Sequence, residues 1–186
     1  MLFRSRAAAA LSELTGHRIT LEVPRVTMHE IGNVAPLLAD LVSGEVASVN
    51  QVFSGAISGN ALLLLDESAA LMLSRLLTDD DPAGSFDAGA REIITEVGNI
   101  LLNACLGAFG NVLQVQVSFT VPRLQVESID RVLRSITIVS EELRHALMIH
   151  TRFKLRLSNV SGYLVIILGI TSLDRMLEQL AKWERR

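Results

Sequence analysis

One cysteine, Cys105, is the only thiol in this 186-residue chain, so no disulfide can form within it. Its apolar neighbours point to a packed thiol rather than a reactive one. Aromatic residues make up only 4%, leaving few faces on which nucleobases could stack. A net charge of -3 and a pI near 5.8 offer no basic footprint for a phosphate backbone, so nucleic acid is not expected as a partner. No apolar run approaches the ~20 residues needed to span a bilayer. The longest, Tyr163 to Ile170, reads as a buried strand. The opening Met1-Leu2-Phe3-Arg4-Ser5-Arg6 lacks the regions of a secretory signal, and a cytoplasmic address without membrane insertion is expected. Neither G-x-x-x-x-G-K-[ST] nor G-x-G-x-x-G occurs. Gly55-Ala56-Ile57-Ser58-Gly59 resembles a nucleophile elbow but sets its serine one residue late. His17, His29, His145 and His150 show no metal-ligand spacing, so no metal and no cofactor of the chain's own is expected.

What the chain does have is apolar bulk, 49% of its residues with a mean hydropathy of +0.39. That is ample for the core of one domain. Helix is expected over Phe3 to Leu14, and a strand over Arg18 to Val23 closed by Pro24. Val26 to Leu41 reads as an irregular connection leading into a short helix around Val34 to Val42. Glu45 to Phe53 and Ala56 to Leu65 suggest a hairpin turning at Ser54-Gly55, with Ser68 capping a helix to about Leu77. Thr78 to Ser85, polar and interrupted by Pro82 and Gly84, is the clearest break. Asp87 is placed to cap a helix after it, near the positive end of the helix dipole. Leu113 to Val121 reads as a strand, and Val126 to about Leu143 as mixed connection and helix. From Ala146 to Leu157 the alternation sets His150, Arg152, Lys154 and Arg156 on one face, predicting a strand with one wet side. Ser158-Asn159 would turn the chain into Val160 to Leu168, and Thr171-x-x-Asp174 would open a last helix.

The chain repeats itself. Val23-Pro24-Arg25-Val26 aligns with Val121-Pro122-Arg123-Leu124 at an offset of 98, and Ile57-Ser58-Gly59 with Val160-Ser161-Gly162 at an offset of 103. Two halves, about 1–77 and 86–186 around the linker 78–85, each read helix, strand, variable connection, hairpin, helix. A half of that size is hard to stabilise alone. A single α+β domain over 1–186 is expected, with pseudo-twofold symmetry, joined antiparallel strand sets and helices packed outside.

The stretch from Ala88 to Pro122 organises the rest. Its helix is mostly apolar, yet Glu92, Glu96, Asn99 and Asn103 fall on one narrow stripe. Gly98 inside that helix should cost roughly 1 kcal/mol against Ala, and Asn99 is a poor interior helix former. A stripe built only for solubility would favour Glu, Lys, Gln or Arg. Such a stripe is also the ordinary wet face of an amphipathic helix. The spacing adds to this: Glu96 and Asn99 are separated by two residues, and Asn99 is followed by twenty-two residues and then Pro122.

This spacing resembles the signature of the CheC/CheX/FliY family of response-regulator phosphatases, Asp/Ser-x3-Glu-x2-Asn-x22-Pro. Glu96, Asn99 and Pro122 match in register, and Glu92 stands where Asp or Ser is expected. Glu30 and Asn33 also satisfy Glu-x-x-Asn, but Ala56 stands at the proline position, so they receive no role. The resemblance implies a CheC-like fold and hydrolysis of the phosphoaspartate of a CheY-like receiver domain in chemotaxis signalling. Asn99 would orient the attacking water and Glu96 would contact the receiver's active-site lysine. Glu92, Gly98 and Asn103 would lie at the docking surface, Gly98 letting the partner's loop approach. Mg2+ would belong to the receiver. The alternative is a non-catalytic interaction module of the chemotaxis or flagellar switch apparatus, binding a receiver domain or the deamidase CheD. Counted back from Pro24, the equivalent of Asn99 is Met1 and that of Glu96 would precede the chain. Only the second of two possible sites is therefore expected, with truncation as the favoured explanation.

Overall fold

Leu62 to Leu65 and Leu164 to Leu168 are apolar on both faces, and such strands can only sit where both faces are covered. A computed structural model places them at the middle of one antiparallel sheet. It describes residues 8–9, 12–13, 19–21, 25–42, 44–78, 86–132, 134, 143–155, 158–169, 172, 174–175, 177–178 and 181. The strands are β1 (Ile19–Leu21), β2 (Arg25–Glu30), β3 (Glu45–Gly55), β4 (Gly59–Asp66), β5 (Val117–Phe119), β6 (Arg123–Ser128), β7 (Leu143–Leu155) and β8 (Ser158–Gly169). Between them run α1 (Ile31–Leu41), α2 (Glu67–Thr78) and α3 (Ala88–Leu113). The sheet order is β1-β7-β8-β4-β3-β5, with β2 also on β7 and β6 also on β3.

The repeat is visible in the pairing. Strands β1 and β2 recur as β5 and β6 with bounds displaced by 98 residues, and each set joins the hairpin of the opposite half. At the other offset, 103, Leu62 corresponds to Val165, and these two residues are register partners. The pseudo-twofold axis therefore passes through the β4–β8 pair. Each half donates two short strands to the other, so the halves share one sheet.

Both faces of the sheet are covered. Leu63 and Leu65 of β4 with Leu164, Ile166 and Leu168 of β8 pack against Leu73 of α2 and Ile94, Val97, Leu101 and Leu102 of α3. On the other face Leu62, Leu64, Val165 and Ile167 meet Val34 and Leu38 of α1, with Ile129 and Val132. Met148 of β7 is buried there too, so the even-numbered face of β7, expected to be wet, is dry at that point. Alternation along one strand could not reveal that the other half supplies a cover.

Several other boundaries differ from expectation. Arg25–Glu30 is a short strand paired with β7, and α1 begins directly after it at Ile31. The mixed connection and helix expected from Val126 instead opens within a strand, β6 (Arg123–Ser128), paired with β3. The β3–β4 turn falls at residues 56–58, because Gly55 stays in the strand opposite Val117. Asp66, not Ser68, caps α2: its Oδ1 accepts from the Ala69 amide at 2.6 Å and from the Ser68 hydroxyl at 2.6 Å. Helix α3 continues through Leu113 and stops at Gln114, a left-handed cap with φ 54, leaving only Val117–Phe119 as strand. Ser158 and Asn159 are strand residues, paired with Leu155 and Lys154. Most of the expected first and last helices, and residues 79–85 of the linker, lie outside the described residues.

Candidate functional site

Helix α3 starts where the sequence marks it. The Asp87 carboxylate accepts from the Ala90 amide at 2.8 Å, satisfying one of the amides that a helix start leaves open. From there the apolar row Ala90, Ile94, Val97, Leu101, Cys105 is buried against the sheet. Burial pushes the Cys105 thiol up to about 12 from its ordinary value. The opposite stripe is Glu92 and Glu96, both exposed, then Asn99 and Asn103, both half-buried.

Glu96 and Asn99 are thus brought to one side of the helix, a turn apart, with Glu92 one turn earlier. Asn99 is less open than a solvent-facing stripe would make it. Its Oδ1 accepts a hydrogen bond from Asn103 Nδ2 at 2.7 Å. Side chains four residues apart on a helix lean over one another in this way. Asn103 is not a free docking group: its Oδ1 accepts from Gln51 Nε2 of β3 at 3.2 Å, so both ends of its carboxamide are engaged within the protein.

Gly98 departs most from expectation. It is buried, and a Cβ there would lie 2.6 Å from the Val49 side chain of β3. The missing side chain lets α3 approach its own sheet, and makes no room for a partner's loop.

The proline spacing also acquires a physical meaning. Pairing between β3 and β5 ends at Phe53 with Phe119, and pairing between β3 and β6 begins at Asn50 with Arg123. Thr120, Val121 and Pro122 therefore face only Gln51 and Val52, one residue too many, as in a β-bulge. Thr120 pins this segment. Its amide donates to the Val52 carbonyl at 3.0 Å, and its hydroxyl accepts from the Val52 amide at 3.1 Å. Beyond it Val121 is 83% exposed and Pro122 half-buried. A cleft of about 1060 Å³ separates this segment from the first half of α3, with Arg91, Glu92 and Thr95 on one wall and Thr120, Pro122 and Arg123 on the other. The twenty-two residues after Asn99 are thus the rest of α3 and the β5 return, which bring Pro122 back across the cleft from Arg91, Glu92 and Thr95, at the start of the polar stripe.

Gln51 and Thr120 escape a reading of the sequence. One signal was present for Gln51: it interrupts the row Ala47, Val49, Gln51, Phe53, which otherwise packs apolar side chains under α3. Thr120 has no such signal, because its role depends on where β5 ends. Among the described residues there is no cluster of three or more His, Cys, Asp or Glu able to hold a metal. Nor is any helix among them long and apolar enough to cross a membrane.

Such an architecture, one sheet shared by two interlocked halves with a long helix flanking the β5–β6 return, defines a class already seen in solved structures. FliY from Thermotoga maritima superposes with a TM-score of 0.76 at 18% identity, over 97% of this chain and 91% of that one. The middle domain of FliM from Vibrio alginolyticus gives 0.64 at 16% identity, over 96% and 97% of the two chains. The chemotaxis protein CheX from Desulfovibrio desulfuricans gives 0.54 at 12% identity, over 90% and 96%. No family model matches the sequence. The chain has the fold of the CheC/CheX/FliY family, shared with the middle domain of FliM.

Proposed function

We propose that this chain is a protein phosphatase that hydrolyses the phosphoaspartate of a CheY-like receiver domain in the cytoplasm. The observation that carries the reading is the juxtaposition on α3: Glu96 exposed and Asn99 half-exposed one turn apart, with Pro122 returned to the same side of the domain. A phosphoaspartate is an acyl phosphate, and its hydrolysis breaks the bond between phosphorus and the carboxyl oxygen as water attacks in line. The products are the free aspartate and inorganic phosphate. Since the bond is already reactive, holding the water in line supplies most of the acceleration. A carboxamide suits that task because it offers both a donor and an acceptor and does not titrate near neutral pH. Asn99 takes this role. Glu96 pairs with the receiver's lysine, and Glu92, at the mouth of the cleft, contributes to docking. Mg2+ bound to the receiver is part of the substrate and offsets charge on its phosphoryl group.

A second reading, an interaction module of the chemotaxis or flagellar switch apparatus that binds a receiver or CheD without catalysis, is favoured by the likeness to the FliM middle domain. Phosphate release from a phosphorylated receiver separates the two. With wild-type protein release should accelerate, and Asn99→Ala should lower the rate about 10²-fold, the scale of a lost positioning contact. Decay at the same rate with wild type and with no protein would leave the binding module.

A further inference from the structure

We propose that Gln51 and Asn103 are positioning residues that decide which edge of the Asn99 carboxamide faces the partner, an inference that rests on the phosphatase reading. Three side-chain amides stand in series from the sheet to the helix surface. Gln51 Nε2 donates to the Thr120 backbone carbonyl at 2.9 Å and to Asn103 Oδ1 at 3.2 Å, and Asn103 Nδ2 donates to Asn99 Oδ1 at 2.7 Å. The direction of this series is not arbitrary. A backbone carbonyl can only accept, so the Gln51 atom beside Thr120 must be the nitrogen. That nitrogen then needs an oxygen at Asn103, which turns the Asn103 nitrogen towards Asn99. Asn99 must answer with its oxygen. Its Nδ2, together with the second lone pair of Oδ1, remains for a ligand.

The cost of this arrangement falls on Gln51. It is 2% exposed, and its Oε1 is buried without a hydrogen-bond partner among the described residues. A buried acceptor left unsatisfied is destabilising, and it offsets part of what the two bonds donated by Gln51 Nε2 contribute. The net gain in stability from glutamine here is therefore small, while its donor fixes a direction for Asn103 and, through it, for Asn99. Gln51 is too deeply buried for a receiver to touch, so any effect it has on hydrolysis must pass through Asn103 and Asn99.

The test is a cycle of variants assayed on a phosphorylated receiver, with melting temperature and side-chain amide NMR measured on the same samples. Gln51→Met takes the donor away from the Thr120 carbonyl and Asn103 Oδ1 and should lower the melting temperature slightly, leave KM for the receiver unchanged and lower kcat about tenfold, a fraction of what a misplaced catalytic group costs. In an Asn99→Ala background Gln51→Met should change kcat no further. Asn103→Asp is nearly isosteric but cannot donate, so it should turn the Asn99 nitrogen inward and move slow hydrogen exchange from the residue-103 side chain to that of Asn99. Wild-type kcat in Gln51→Met, or an equal fall with and without Asn99, would overturn the positioning role and leave the phosphatase reading standing. An inactive wild type would overturn both.

Discussion

The two sides of α3 obey different rules. Towards the sheet, Ile94, Val97, Gly98, Leu101 and Cys105 are held by shape, with Gly98 set against Val49 so closely that one added carbon collides. On the polar stripe, Glu92, Glu96, Asn99 and Asn103 are held by hydrogen-bond direction or not at all. The first side makes a fold that many sequences can share, as an identity of 12–18% with solved relatives illustrates. On the second side small chemical changes can alter what the helix does without altering the helix.

That contrast can be broken most forcibly from the core side. Leu101→Ala should cost about 2–5 kcal/mol in a chemical denaturation experiment, because a fully buried leucine leaves a cavity. Such a loss threatens folding, and whatever folded protein remains should keep its specific activity. Asn99→Ala should do the reverse, with its large fall in kcat and a melting temperature within a degree or two of wild type. A stability loss comparable to that of Leu101→Ala would erase the distinction between the two sides. Gly98→Ala is subtler. It gains roughly 1 kcal/mol of helix propensity and loses about 1–3 kcal/mol to overpacking against Val49, so a small net destabilisation is expected. Receiver binding should be unaffected throughout. If Gly98→Ala weakened binding with stability intact, that glycine would belong to the docking side after all.

Cys105 gives the smallest effect. Buried and 3% exposed, it should resist alkylation at pH 8 in the folded protein and react at once in denaturant. Its raised pKa sets a sign as well. The native state retains its proton between pH 9.0 and about 12 while the unfolded state loses it, so this thiol's contribution holds below pH 9.0 and fades as pH rises across that window. Stability that increased with pH there would contradict a packed thiol.

Much of the fold was legible because its strongest signals are local. Apolar runs marked β4 and β8, Asp87 marked the start of α3, and the repeated Val-Pro-Arg and Ser-Gly words marked the two halves. Strands β2 and β6 were missed although each alternates, because they are short edge elements whose partners lie in the other half of the chain. At the site, the spacing of Glu96 and Asn99 set both side chains on one stripe of α3. It led astray at Gly98, since a glycine in a helix looks the same from either direction and only the position of Val49 tells which way it faces.

What the residues alone determined is the pattern of faces: which sides of each helix and strand are apolar, and that about three turns of α3 carry two acidic and two amide groups in line. Hydrophobic period and helix geometry suffice for that. What only the tertiary structure decided is the orientation of those groups. The carbonyl of Thr120, carried in from a distant strand end, sets the direction of three amides in series, and hydrogen-bond direction between residues 52 to 69 positions apart is not written in any local pattern.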